Sequence, residues 1–266
     1  MIDGDTADGA LAVRRPHGVG AVLDAALRLF RASLVGCLPY AAVAAAAGQL
    51  PTLYLAATRQ PLIGFRSTDP LWWTLYVAET LLAFILWGGV LLRQQRMSRG
   101  LRLHAAEELA QACRRLPAVL WLAFPFAVAL FLGTELASPV QRAVLLVPGV
   151  YLGVALSMSW PVLLIEGGGA ASALRGSLRL VAGRWWRTAT LLGAGLALLF
   201  VFYALGGLVG GVVSGVWGAV PRASLFAKPA VLPALTLLRG LSFLLLGALA
   251  LPWLTAVLLA IYGELA

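Results

Sequence analysis

Six apolar blocks constrain what this chain can fold into. They run about Leu34–Ala57, Leu71–Leu92, Pro117–Thr134, Ala143–Ile165, Ala189–Val216 and Gly240–Tyr262. Each is close to the roughly 20 apolar residues that a helix needs to cross a bilayer. Of the 266 residues, 61% are hydrophobic and 12% charged, against about 45–50% and about 25% in soluble domains. The excess sits in the blocks, which predicts an all-α, polytopic membrane helix bundle with six transmembrane helices. A single membrane domain is expected over residues 17–266, behind a disordered cytoplasmic tail over residues 1–16.

The charges lie between the blocks. The net charge is +9, carried by nineteen arginines and Lys228. Fourteen positive residues fall on one set of connections: Arg14, Arg15, Arg28 and Arg31; then Arg93, Arg96, Arg99, Arg102, Arg114 and Arg115; then Arg175, Arg179, Arg184 and Arg187. Six fall on the other: Arg59, Arg66, Arg142, Arg222, Lys228 and Arg239. The positive-inside rule then predicts both termini in the cytoplasm, in a bacterial inner membrane. Basic residues at the ends of membrane helices fit orientation and anionic-lipid contact, not nucleic acid, since no basic-aromatic nucleic-acid module is present. Arginine in place of lysine fits a GC-rich bacterial genome. The start, MIDGDTADGALAVRRP, lacks the basic-then-apolar order of a cleaved signal.

Three connections have amphipathic helical spacing and are expected to lie on the cytoplasmic surface, about 19–33, 101–116 and 171–187. In the first, Asp24, Arg28 and Arg31 share a polar face, and Leu23, Leu27 and Phe30 form an apolar stripe at the same spacing. In the second, His104, Glu108, Gln111 and Arg115 form the polar face and Ala105, Leu109, Ala112 and Leu116 the apolar one. In the third, Leu174, Leu178, Val181 and Trp185 form the apolar stripe, with Arg175, Arg179 and Gly183 opposite. DAALRLFRASL and GSLRLVAGRWW share a small-Leu-Arg-Leu core, Ala26–Leu29 against Ser177–Leu180. A threefold repeat of surface helix plus hairpin is therefore expected, weakest in its middle copy.

Several short motifs follow one another in order: Ala26–Arg31; Val147, Pro148, Gly149, Val150 and Tyr151; Pro161–Glu166; Ala173, Leu174, Arg175, Ser177, Leu180, Val181, Gly183 and Trp186; and Tyr262 with Glu264. Together they resemble a bacterial multipass family similar to the membrane domain of glycerophosphoryl diester phosphodiesterases. The match is spread over most of the chain and is densest at 144–190. The resemblance implies a membrane-embedded protein of largely undefined role. In fused members the phosphodiesterase activity belongs to a separate soluble barrel. No such catalytic barrel is recognisable here, and that activity is not carried over.

The candidate residues are few. Glu79 lies near the middle of the second block, where a charge costs about 2.5–3.5 kcal/mol on insertion scales. It either carries protons, binds a cation or pairs with an arginine such as Arg239, or it is a structural glutamate hydrogen-bonded in the bundle. Glu166 ends the fourth block and is expected to act as an interface latch, receiving Arg175, Arg179 or another cytoplasmic arginine, or else to meet a headgroup or cation, while Gly167–Gly169 let the chain turn along the membrane. Gly207, Gly211 and Gly215 form overlapping GxxxG patterns for helix packing, within the chain or between two copies.

His17 and His104 have no metal-ligand partner nearby, and Cys37 and Cys113 are too few for a disulfide framework. Ser157 and Ser159 lack a GxSxG setting and are expected to bond to backbone or neighbouring helices. No nucleotide motif is present, so no cofactor is implied. The reading is a non-enzymatic membrane protein acting through anionic lipid headgroups, a protein partner or a homodimer. The alternative is a transporter using Glu79 in a central path.

Overall fold

The structure, a computed structural model, describes the backbone of residues 18–58, 69–101, 104–135, 139–218 and 231–266, and the side chains of these residues outside 56, 126, 129–147 and 205–243. The expected tail over 1–16 lies outside the described residues. So do the packing of Gly207, Gly211 and Gly215 and the side chain of Arg239.

The described residues form helices and no strands. In chain order these are α1 (Val19–Ala47), α2 (Leu50–Ala57), α3 (Pro70–Ser98), α4 (Ala105–Glu135), α5 (Pro139–Leu156), α6 (Ser159–Ile165), α7 (Ala170–Val181), α8 (Trp185–Gly218) and α9 (Val231–Leu265). Among the described residues five segments are long and apolar enough to cross a membrane: Val19–Leu55, Pro70–Ser98, Pro148–Ile165, Trp185–Ala204 and Leu244–Leu265. Large apolar side chains also point outward, Val35 at 83% exposure and Trp121 and Phe200 at 72%. That pattern suits a lipid-facing surface. The crossing expected at Pro117–Thr134 falls within α4, and its far half lies outside the described side chains.

Two of the expected surface segments are not separate helices. The first is the opening of α1, which runs unbroken through Ser33 and Pro39. One buried stripe explains this: Val22, Ala26, Ser33, Cys37 and Tyr40 recur at helical spacing from the polar end into the apolar block. Leu27 is instead 37% exposed. The second segment is the opening of α4, which continues through Pro117 and Pro125. Only the third holds a separate helix, α7, and it stops at Val181, short of the expected 187: Gly183 turns the chain with φ +74°, and Trp185 opens α8. The buried stripe of α7 is Ala173, Ser177 and Val181, and Leu178 is 48% exposed. Small residues face inward because α6 comes close. A Cβ on Gly176 would meet Val162 Cγ1 at 2.9 Å, and the Ser177 hydroxyl donates to the Ala155 carbonyl at 2.7 Å.

The fourth expected crossing is broken at Ser157 and Met158, between α5 and α6. Pro161 has no N–H to give to the carbonyl four residues back, so the helix cannot run through normally. The hydroxyls of Ser157 and Ser159 donate to the Val154 and Leu156 carbonyls at 2.8 and 2.6 Å, as their setting predicts.

Helix order in space follows from paired residues. α1 and α3 are antiparallel, with Ser33 at Gln94, Gly36 at Arg93 and Gly48 at Glu79. α3 and α4 are antiparallel, with Gly88 at Ala112 and Arg96 at Glu107. α8 and α9 are antiparallel, with Gly195 at Val257 and Arg187 at Glu264. α1 meets α9 through an edge-on contact of Phe30 with Trp253, ring centres 5.8 Å apart. At the far end Asp69 caps α3 by accepting from the Leu71 N–H at 2.9 Å, and it also accepts the Tyr54 hydroxyl.

Candidate functional site

These pairings bring the start of α1, the end of α3, the start of α4, the loop after α6, α7, the start of α8 and the end of α9 to one end of the bundle. That end holds every described member of the arginine-rich set: Arg28, Arg31, Arg93, Arg96, Arg99, Arg114, Arg115, Arg175, Arg179, Arg184 and Arg187.

Its inner layer is a buried polar network. Glu108 is fully buried in the first turn of α4. Its Oε2 accepts the Tyr40 hydroxyl at 2.9 Å and lies 3.3 Å from Arg93 Nε. Arg93 Nη1 donates to the Gly36 carbonyl at 2.6 Å, and its guanidinium lies over the Tyr40 ring, 5.2 Å from the centre. One residue on, the buried Gln94 amide donates to Ser33 Oγ at 3.0 Å and to the Pro252 carbonyl at 2.9 Å. Four helices are thus joined through polar groups. The second carboxylate oxygen of Glu108 and the amide oxygen of Gln94 are buried with no hydrogen-bond partner among the described residues.

The expected polar face of the second amphipathic segment is therefore wrong in its central member. Glu108 points inward, because it continues the buried stripe of Ala112, Val119 and Leu122 one turn toward the start of α4. The α4 N-terminus favours carboxylates in that turn, and the arginine supplies the counter-charge.

The outer layer is a groove between the last turns of α3 and the first turns of α4. A cavity of about 540 Å³ is lined there by Arg96, Glu107, Gln111, Arg114 and Arg115, with two alanines. Arg96 Nη1 pairs with Glu107 Oε2 at 3.1 Å. Gln111 donates to the Leu164 carbonyl at 3.3 Å, and Arg115 Nη1 to the Gly168 carbonyl at 2.8 Å. These two side chains satisfy carbonyls at and just beyond the end of α6, which have no partner in their own helix. Arg114 is exposed and makes no hydrogen bond or ion pair with a described residue.

The glycine turn is more selective than its sequence implies. Gly167 and Gly168 have φ of +82° and +87°, whereas Gly169 is extended and precedes α7. A Cβ on Gly167 would meet Arg115 Nη2 at 2.8 Å.

Glu166 does not receive Arg175 or Arg179; its described partner is on α9. Its Oε1 accepts the Tyr262 hydroxyl of α9 at 2.7 Å. Arg175 and Arg179 bond to the Ala171 and Arg175 carbonyls of their own helix and stay exposed. α9 is held further by the Arg187–Glu264 ion pair and by Arg184 Nη1 donating to the Leu265 carbonyl at 3.4 Å.

Glu79 lies apart from all of this. It is half-buried on α3, with Oε2 3.5 Å from where a Gly48 Cβ would stand, at the break after α1. No described cation pairs with it. Among the described residues no group of three or more His, Cys, Asp or Glu side chains could hold a metal ion. Comparison with protein-family models, curated proteins and solved structures finds no match to this chain.

Proposed function

We propose that this chain is a non-enzymatic integral protein of the bacterial inner membrane that acts through anionic lipids or a protein partner at its arginine-rich end. In this reading it crosses six times, the α4–α5 hairpin supplying the crossings beyond those formed by α1, α3, α8 and α9, and both termini lie in the cytoplasm. The observation that carries it is the convergence of the arginine-rich connections on one end, with Arg28, Arg31, Arg114, Arg175 and Arg179 exposed around it.

Anionic lipids of a cytoplasmic leaflet attract such residues by about 1 kcal/mol each. α7 suits a place in the interface: Arg175 and Arg179 stand beside the exposed Leu178 and, just beyond the helix, Trp186. The openings of α1 and α4 present their charges as helix ends, not as separate surface helices. We also place the chain beside the multipass family it resembles. Glu166, Tyr262 and Glu264, which carry part of that resemblance, hold the end together, as a structural module requires.

A transporter would need a water-filled path reaching Glu79. That carboxylate lies by Gly48 and does not line the groove between α3 and α4. The observations therefore favour a lipid- or partner-binding module. Purification from native membranes, with lipids and proteins identified together, tests this. Retained anionic phospholipid, reduced in an Arg175→Gln/Arg179→Gln variant, is expected. A wild-type protein that retains neither lipid nor partner overturns the reading.

A further inference from the structure

The inner ion pair and the outer groove lie next to each other but differ in what they offer a ligand. Arg93 and Glu108 face each other, Tyr40 and Gly36, and what they leave unbonded is buried. The groove keeps unused donors. Three arginines face one glutamate there, and the glutamate is paired with Arg96. A guanidinium has five N–H groups. Arg96 spends one nitrogen on Glu107, Arg115 spends one on Gly168, and Arg114 spends none on a described residue.

We infer that this groove is a binding site for a phosphate anion of the mono- or diester class, with Arg114 as its free clamp and Arg96 and Arg115 as its positioned walls. The inference rests on the reading that anionic lipid engages this end, and it names where and by which group. Three features support it beyond positive charge.

First, the site is an open groove of about 540 Å³, with room for a phosphate group and the chain that carries it. Second, two of its arginines are fixed in advance. Arg115 is held by the left-handed Gly167–Gly168 turn, which leaves room for its guanidinium where a Cβ would not. Arg96 is held by Glu107. Held donors lose less entropy on binding, and planar guanidinium groups suit bidentate phosphate contact. Third, the groove opens at the end where the reading places lipid headgroups, so a phosphodiester entering from the membrane surface meets it without leaving the interface.

The source of the phosphate is either a phospholipid headgroup or a soluble phosphate compound, and the experiment separates them. The whole protein in detergent is titrated with short-chain phosphatidylglycerol, short-chain phosphatidylcholine and inorganic phosphate, and bound species are counted by native mass spectrometry. Phosphatidylglycerol binding to wild type, about tenfold weaker in Arg114→Gln and partly restored in Arg114→Lys, is the expected result. Saturable inorganic phosphate binding with the same Arg114 dependence supports the site with a soluble ligand as its source. Arg114 is exposed, so Arg114→Gln should keep the wild-type unfolding temperature, which separates lost binding from lost fold.

Equal phosphatidylglycerol and phosphate binding by wild type and Arg114→Gln overturns the groove. If that binding instead falls in Arg175→Gln/Arg179→Gln, the lipid reading stands and only the groove fails. If wild type binds neither anion, both fail.

Discussion

Arg93 and Glu108 face each other across the α3–α4 hairpin, 3.3 Å apart, with the glutamate fully enclosed. The pair comes from residues fifteen positions apart, and the turn between them carries the exposed Arg99 and Gly100. Tyr40 closes the arrangement from α1 by touching both partners. The hairpin is thereby fixed to α1 by polar contacts as well as by packing.

Glu108→Ala should destabilise the protein by about 3–5 kcal/mol, because it leaves the Arg93 charge partly buried without its partner. Unfolding in detergent measures this. A double change, Arg93→Met with Glu108→Leu, should recover most of the loss, since an apolar pair of similar volume often replaces a buried ion pair without cost. A single Glu108→Ala variant as stable as wild type would show that the pair does not hold the hairpin.

The glycine turn after Glu166 should tolerate substitution unevenly. Gly167→Ala forces a side chain into a left-handed conformation, costing about 1–2 kcal/mol, and also displaces Arg115. Gly168→Ala meets Ser172 Oγ at 2.5 Å and carries the same backbone penalty. Gly169→Ala meets nothing within 4 Å and should cost the least of the three, only the poorer N-cap of α7. Thermal unfolding of the three single variants checks the order.

On α8, Gly195→Ala would place a Cβ 2.7 Å from Val257 Cγ1, at the point where the Trp253 indole donates to the Gly195 carbonyl. Overpacking there should cost about 1–3 kcal/mol. Gly193→Ala, two residues away with open space around it, is the control and should change stability little.

Placement was more legible in the sequence than contact. Long apolar blocks and arginine-rich connections are properties of composition and order, so the all-helical fold is legible in them; of the six crossings they imply, five segments among the described residues are long and apolar enough. What failed was choosing inward faces by hydrophobicity. In a bilayer the outside is apolar too, so Leu178 faces out while Ala173 and Ser177 face in, where small residues allow close approach. Glu108 was hidden for a related reason, since a charged residue in an amphipathic segment is assigned to the wet face by default. The signal that could have found it is geometric. Stepping back from Leu122 through Val119 and Ala112 at helical spacing arrives at Glu108, and Arg93 and Tyr40 are residues suited to meet it. The partner of Glu166 is not legible locally, since Tyr262 lies ninety-six positions away and several arginines lie much nearer in sequence.

Which side of the membrane the arginine-rich end faces can be tested directly at the two cysteines. Cys113 is exposed on α4 at that end, while Cys37 is fully buried. A membrane-impermeant maleimide should label Cys113 in inverted vesicles and leave intact spheroplasts unlabelled until they are lysed. Labelling of Cys113 in intact spheroplasts would place the arginine-rich end outside the cell and contradict the account.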